Sequence, residues 1–241
     1  MTQQIPMKAR VMIASAVVFS LGAVAAGFKE HTSQSWTLFP IVLAAAVLAS
    51  RFKVKLPGMT TTMSGSLPVI LYSILHLGLL PSLAVGAAAG LTQTLSSSGQ
   101  KARPVQMLFN TCALLNATAL GYWMFHYKPL QASTAAHMLA LVLASAVYFL
   151  ANTTPIAAII SLVEGSNAMA LWHKVFLWSF PNYVIGAGLA AIASAFSSAA
   201  GWAAMTAIIA VLFGVYQSYK LFVSHSEQAQ PKPMSMAAAA R

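Results

Sequence analysis

Polar side chains stranded in long apolar stretches are the residues of this sequence that could do chemistry. Gln93, Asn110, Asn116, Asn152, Asn182 and His76 all interrupt hydrophobic runs. An amide or imidazole withdrawn from water has to be met by another polar group or by a ligand. Asn152 and Asn182 stand close to Pro155 and Pro181. A proline inside a helix offers no N–H to the carbonyl one turn earlier, so the carbonyls around Ala151 and Leu177 would be freed. Both prolines are therefore expected to kink or break their helices. Free carbonyls and amide side chains together make the kind of polar pocket that broken-helix transporters use. The plainer alternative is that each asparagine satisfies the backbone at its own kink. Gln93, Asn110, Asn152 and Asn182 are thus the ligand-binding candidates, with Pro155 and Pro181 as expected helix breaks. Asn110 and Asn116 are six positions apart, about 600° of helical rotation, so they point to faces roughly 120° apart.

Catalytic chemistry finds little to work with. The three acids are Glu30, Glu164 and Glu227, all expected at or beyond membrane edges, whereas proton relays place carboxylates at mid-depth. The same distribution disfavours a hydrolase built on paired carboxylates. Neither a glycine-rich phosphate loop nor an HExxH zinc motif occurs. His31, His76, His126 and His137 fall on the expected outer segments but without acid partners, so no metal is expected. Cys112 is the single cysteine and cannot form an intrachain disulfide. No cofactor and no enzymatic activity are expected.

The elements that must position these residues are hydrophobic. Of 241 residues, 59% are hydrophobic and 7% charged, against roughly a quarter charged in soluble domains. Apolar segments can be read at about 11–28, 37–50, 66–79, 81–97, 105–125, 134–163, 174–197 and 201–223, each bounded by charge, proline or glycine. A span needs about 20 apolar residues. The expectation is an all-α, polytopic transmembrane bundle of about eight helices. Segments 66–79 and 81–97 are short and joined by a tight turn from Leu77 to Pro81, so six spans plus a re-entrant hairpin is the alternative. Residues 1–223 read as one membrane domain, and 224–241 as a short flexible cytoplasmic tail.

Lysine and arginine set the sidedness. With the N-terminus inside, Lys8, Arg10, Arg51, Lys53, Lys55, Lys101, Arg103, Lys174, Lys220, Lys232 and Arg241 fall inside, and only Lys29 and Lys128 outside. Both termini are therefore expected in the cytoplasm. Lys8, Arg10, the apolar run from Val11 and the small residues Ala23 to Ala25 also fit a cleavable signal peptide, though an uncleaved span is expected. The net charge of +10 is scattered at segment ends rather than gathered in a stripe, which points to the lipid bilayer as partner and away from nucleic acid.

Pro40, Pro68, Pro81 and Pro104 fall in the first turns of their segments, where no backbone donor is lost. Gly86 and Gly90, and the run from Gly186 and Gly188, have the small-residue spacing that lets helices approach closely, expected here as packing within the chain. Trp36, Trp123, Trp172 and Trp202 lie near segment ends and suit an interfacial belt.

Lys53-Val-Lys-Leu-Pro-Gly58, Thr62-Met-Ser64, Arg103-Pro-Val-Gln106, Phe109-Asn110, Tyr148 to Pro155, Glu164-Gly165, Trp178 to Pro181 and Tyr216 to Lys220 form a pattern. It resembles the membrane sensor modules found ahead of GGDEF diguanylate cyclase and histidine kinase domains in bacteria, over roughly residues 8–223. The resemblance implies a ligand-sensing domain of the bacterial inner membrane that passes a signal through its last helix. Ser224–Arg241 is too short to fold into an effector domain, so a separate signalling partner is implied. A weaker likeness, in the glycine- and proline-punctuated stretch from Ser64 to Gly90, is to the substrate-binding subunits of vitamin-uptake transporters. A membrane scaffold is the third reading.

Overall fold

The structure, a computed structural model, describes residues 5–30, 37–55, 62–96 and 103–195. The expected segment 201–223, the tail 224–241, Trp36 and Trp202 lie outside the described residues. Eight α-helices are described: α1 Met7–Lys29, α2 Leu38–Arg51, α3 Leu67–His76, α4 Leu79–Leu95, α5 Pro104–Phe125, α6 Thr134–Glu164, α7 Ala168–Leu171 and α8 Phe180–Ala195. The class is all-α. A two-stranded antiparallel ladder, β1 Lys53–Lys55 on β2 Thr62–Ser64 with Val54 opposite Met63, joins α2 to α3, where the sequence reading had only an interruption.

Helix boundaries follow local chemistry. Pro68 and Pro104 sit in the first turns of α3 and α5, where a missing N–H costs nothing. Ser133 caps α6 by accepting from the Ala136 amide at 3.2 Å, and Gly165 ends it in the left-handed conformation, φ +70°, the glycine stop of many helices. Asn167 caps α7 through the amides of Met169 and Ala170.

One expectation about a proline is corrected. Pro155 does not break its helix: α6 runs unbroken for 31 residues through it. Helices absorb a proline where neighbours and side chains re-satisfy the freed backbone; the carbonyl freed here is that of Ala151, while the Thr153 hydroxyl bonds the Phe149 carbonyl at 2.8 Å. Pro181 is the second residue of α8, and the helical path is irregular in the turns just before it, where Trp172–Phe176 is wound as a π-helix and Leu177–Ser179 as a 3₁₀ turn.

α3 occupies the centre. Every residue from Pro68 to Ile74 is buried, and α2, α4, α5 and α8 pack around it; a helix apolar on all sides is one enclosed by protein. Its ten residues rise about 15 Å, half the hydrocarbon thickness of about 30 Å. α4 folds back on it after Leu77 and Gly78, tied by Ser82 Oγ to the Ser73 carbonyl at 2.9 Å. The close approaches use glycine: a Cβ on Gly90 would lie 3.0 Å from Thr111 Cα, and Gly86 is pressed on the Thr118 hydroxyl. α4 and α5 thus run antiparallel, as do α5 and α6, with Gly121 against Ala144 and Tyr148. α1 runs parallel to α5: Ser20 Oγ donates to Asn116 Oδ1 at 2.7 Å near the middle, and Tyr122 Oη to Glu30 Oε1 at 2.7 Å at the end.

Two of the described helices, α1 and α6, are long and apolar enough to cross a membrane. Much of what the bundle turns outward is also apolar. Val11, Val18, Leu21 and Phe28 of α1, Met138, Val142 and Leu150 of α6, and Val184, Ile185 and Ile192 of α8 are all exposed.

Candidate functional site

α6 and α8 meet along a seam that gathers polar and aromatic side chains. Asn152 Nδ2 donates to the Tyr183 hydroxyl at 2.9 Å, and Ser145 Oγ donates to the Tyr183 carbonyl at 2.9 Å. Ser145 and Asn152 are seven apart, two turns on one face of α6, so one tyrosine at the start of α8 is held at both its ends. Tyr183 lies close to the front of α8 because the helix is launched by Phe180 and Pro181. The irregular stretch before it lays Trp172 back against α6, where its indole N–H donates to Thr153 Oγ1 at 3.0 Å. Thr153 relays the bond to the Phe149 carbonyl. Trp172 is therefore tied to the seam through its indole N–H. Phe149 is the hub of the rings, with centroids 4.9 Å from Tyr183, 5.3 Å from Phe180 and 5.8 Å from Trp172.

One polar atom in this seam is left over. Asn152 Oδ1 is buried and has no hydrogen-bond partner, although nearly every buried polar atom in a folded protein has one. The seam therefore presents an open acceptor: a hydroxyl, an amine or a water could use it, whereas a carboxylate could not.

Beside the seam runs an apolar groove of 360 Å³, lined by Leu139, Val142, Ser145, Phe180, Val184 and Gly188 among others. Its volume lies within the range of small-molecule sites. The hydroxyl of Ser145 is committed to Tyr183, so an occupant would meet hydrocarbon along its length. Gly188 keeps the wall thin, since a Cβ there would touch nothing within 4 Å.

The other sequence candidates are distributed differently. Gln93 and Asn110 come together where α4 ends and α5 begins: Gln93 Nε2 donates to Ser66 Oγ at 2.8 Å, and Asn110 Nδ2 to Thr94 Oγ1 at 3.2 Å. They tie α4 to its neighbours and do not join the α6–α8 seam. Asn116 faces α1 instead, with its amide donating to the Ala16 carbonyl at 3.0 Å, the divergence its spacing from Asn110 requires. Asn182 is half-buried beside Tyr183 in sequence and is engaged by a neighbour. The four candidates therefore do not form one pocket; Asn152 alone sits in the seam with an unmet atom.

The opposite end of the bundle holds a cluster that sequence reasoning missed. Glu30, at the end of α1, accepts from Tyr122 of α5. The ring of His126 stacks on Tyr122 at 4.0 Å, and His126 Nδ1 lies 3.1 Å from the Tyr122 carbonyl. Phe125 bridges His126 and His137 edge-on, at 5.0 and 4.8 Å. Partial desolvation of the stacked ring lowers the pKa of His126 below the ordinary histidine value, and the neighbouring His137 adds to this. The carbonyl bond and Glu30 oppose it. Glu30, 92 positions away from Tyr122 in sequence, is thus brought near His126 as an acidic neighbour. The i, i+4 pair of Tyr122 and His126 was the available signal; the carboxylate was not foreseeable. His76 pairs with Ser194 at 2.9 Å instead.

Among the described residues no group of three histidine, cysteine or acidic side chains is placed to hold a metal ion. No known protein family, no curated protein and no solved structure matches this chain.

Proposed function

We propose that this chain is a non-enzymatic, multi-pass protein of the bacterial inner membrane, with both termini cytoplasmic, that binds a small apolar or amphipathic ligand at the α6–α8 seam and acts as a sensor-like domain through a separate signalling subunit. The single observation that carries the ligand reading is the apolar groove between α6 and α8; the unmet acceptor Asn152 Oδ1 lies in the same seam but outside the groove's lining. The membrane reading is supported by the apolar outer faces of α1, α6 and α8, since exposed apolar surface of that extent in water would drive association. The small-residue contacts of Gly86 and Gly90 are the packing that membrane helices rely on, lipid being as apolar as their own side chains. The 11 to 2 division of lysine and arginine supports the orientation.

Native mass spectrometry of the full chain, extracted from its own host in mild detergent, tests the reading. A retained amphipathic molecule together with a kinase or cyclase is the expected result. A retained molecule accompanied by an ATPase pair would replace sensing with transport. A bare polypeptide with neither ligand nor partner would leave only a scaffold.

A further inference from the structure

We propose that Glu30, Tyr122 and His126 form a proton-binding site that couples acidity at their end of the bundle to the seating of α1 on α5.

The geometry begins with how weakly α1 is held. Of its 23 residues only Ala9, Ser20, Ala23 and Gly27 are buried, so it lies against the bundle along a narrow line. Its ties to α5 among the described residues include Ser20 to Asn116 and Asn116 to the Ala16 carbonyl in the middle, the Phe19 ring edge-on to Trp123, and Tyr122 to Glu30 at the end. The end tie is a hydroxyl donating to a carboxylate, one of the stronger hydrogen bonds available to side chains, and it is the one beside a titratable ring.

His126 is placed to act on that tie. Its Nδ1 faces the Tyr122 carbonyl, which can only accept, so Nδ1 carries the proton and Nε2 is the free base. The residue is exposed, so a proton can reach it from water. The titratable and charged groups around it are Tyr122 on its own helix, Glu30 and the adjoining Lys29 from α1, His137 from α6, and Tyr127 and Lys128 in the connection that follows; α4 contributes the Leu79 amide to Tyr122. When Nε2 takes up a proton, the new cation competes with the Tyr122 hydroxyl for the Glu30 carboxylate. The carboxylate then leaves Tyr122, and the last turn of α1 loses its hold on α5. Histidine is the side chain whose ordinary titration lies nearest to neutral pH.

The word sensor rests on the function proposed above, but the titration does not depend on the groove. An empty groove and a silent His126 are separate failures. The test uses the full chain with Cys112→Ser in phosphatidylcholine nanodiscs, carrying nitroxide labels at Phe28→Cys on α1 and Ile192→Cys on α8, both exposed. The distance distribution is recorded by electron paramagnetic resonance from pH 8 to pH 5. The expected result is a one-step shift to a new distance, with its midpoint below about 6.5. His126→Gln should hold the high-pH distance throughout, Tyr122→Phe should show the low-pH distance at every pH, and His137→Gln should keep the step with its midpoint raised. An unchanged distance over the range in the parent chain, or the same step in His126→Gln, would overturn the proposal.

Discussion

The amide of Asn152 donates to the hydroxyl of Tyr183 at 2.9 Å across the α6–α8 interface while its own oxygen stays buried and unpartnered. A bond of this kind between membrane helices contributes about 0.6 kcal/mol, because the separated helices also find partners. A double-mutant cycle of Asn152→Ala and Tyr183→Phe, read by reversible unfolding in mixed micelles, should return a coupling of that order. A coupling indistinguishable from zero would mean that the two side chains do not meet.

Gly86 and Gly188 should respond in opposite ways to added bulk. A methyl group on Gly86 runs into the Thr118 hydroxyl, while one on Gly188 meets nothing within 4 Å. Gly86→Ala is expected to cost about 1–3 kcal/mol through overpacking, and Thr118→Ala in the same chain should recover part of it. Gly188→Leu should leave the unfolding midpoint nearly unchanged yet abolish ligand retention by filling the groove. Retention undiminished in Gly188→Leu would move the ligand elsewhere.

Pro155 lies within the unbroken α6 and offers no N–H to the Ala151 carbonyl. Pro155→Ala restores that bond and removes the ring's clash with the preceding turn. The variant should insert normally and unfold at a higher temperature than the parent. A lower midpoint would show that the proline is needed for the packing of Thr153 and Trp172 beside it.

The helices were largely legible in the sequence, and the site only in part. Proline and charge mark the starts of α3 and α5 and the end of α1, because those residues act on their own backbone. Pro155 misled for the complementary reason: whether a proline breaks a helix depends on neighbours that local sequence does not name. Asn152 was visible as a polar residue in an apolar run. Its partner Tyr183 was not, since a tyrosine among apolar residues carries no mark of which helix it will face. Glu30 and Tyr122 show the same limit, being joined only by the parallel course of α1 and α5.

The depressed pKa of His126 also fixes the sign of a pH effect on stability. The unfolded chain takes up a proton at this position near pH 6.5 and the folded chain only at lower pH, so stability is full above about 6.5 and falls as pH drops towards the folded value. Unfolding midpoints between pH 8 and pH 5 should show this loss in the parent chain and a shallower slope in His126→Gln. Equal slopes would assign the loss to other groups.

The central claim is that the chain threads the membrane several times with its basic loops inside, and cysteine labelling in intact cells tests it most directly. In a Cys112→Ser background, a membrane-impermeant maleimide should label Ser33→Cys and Ser133→Cys from outside, and should reach Ser98→Cys only after the membrane is opened. Labelling of Ser98→Cys in sealed cells, or recovery of the protein in the soluble fraction, would contradict the account.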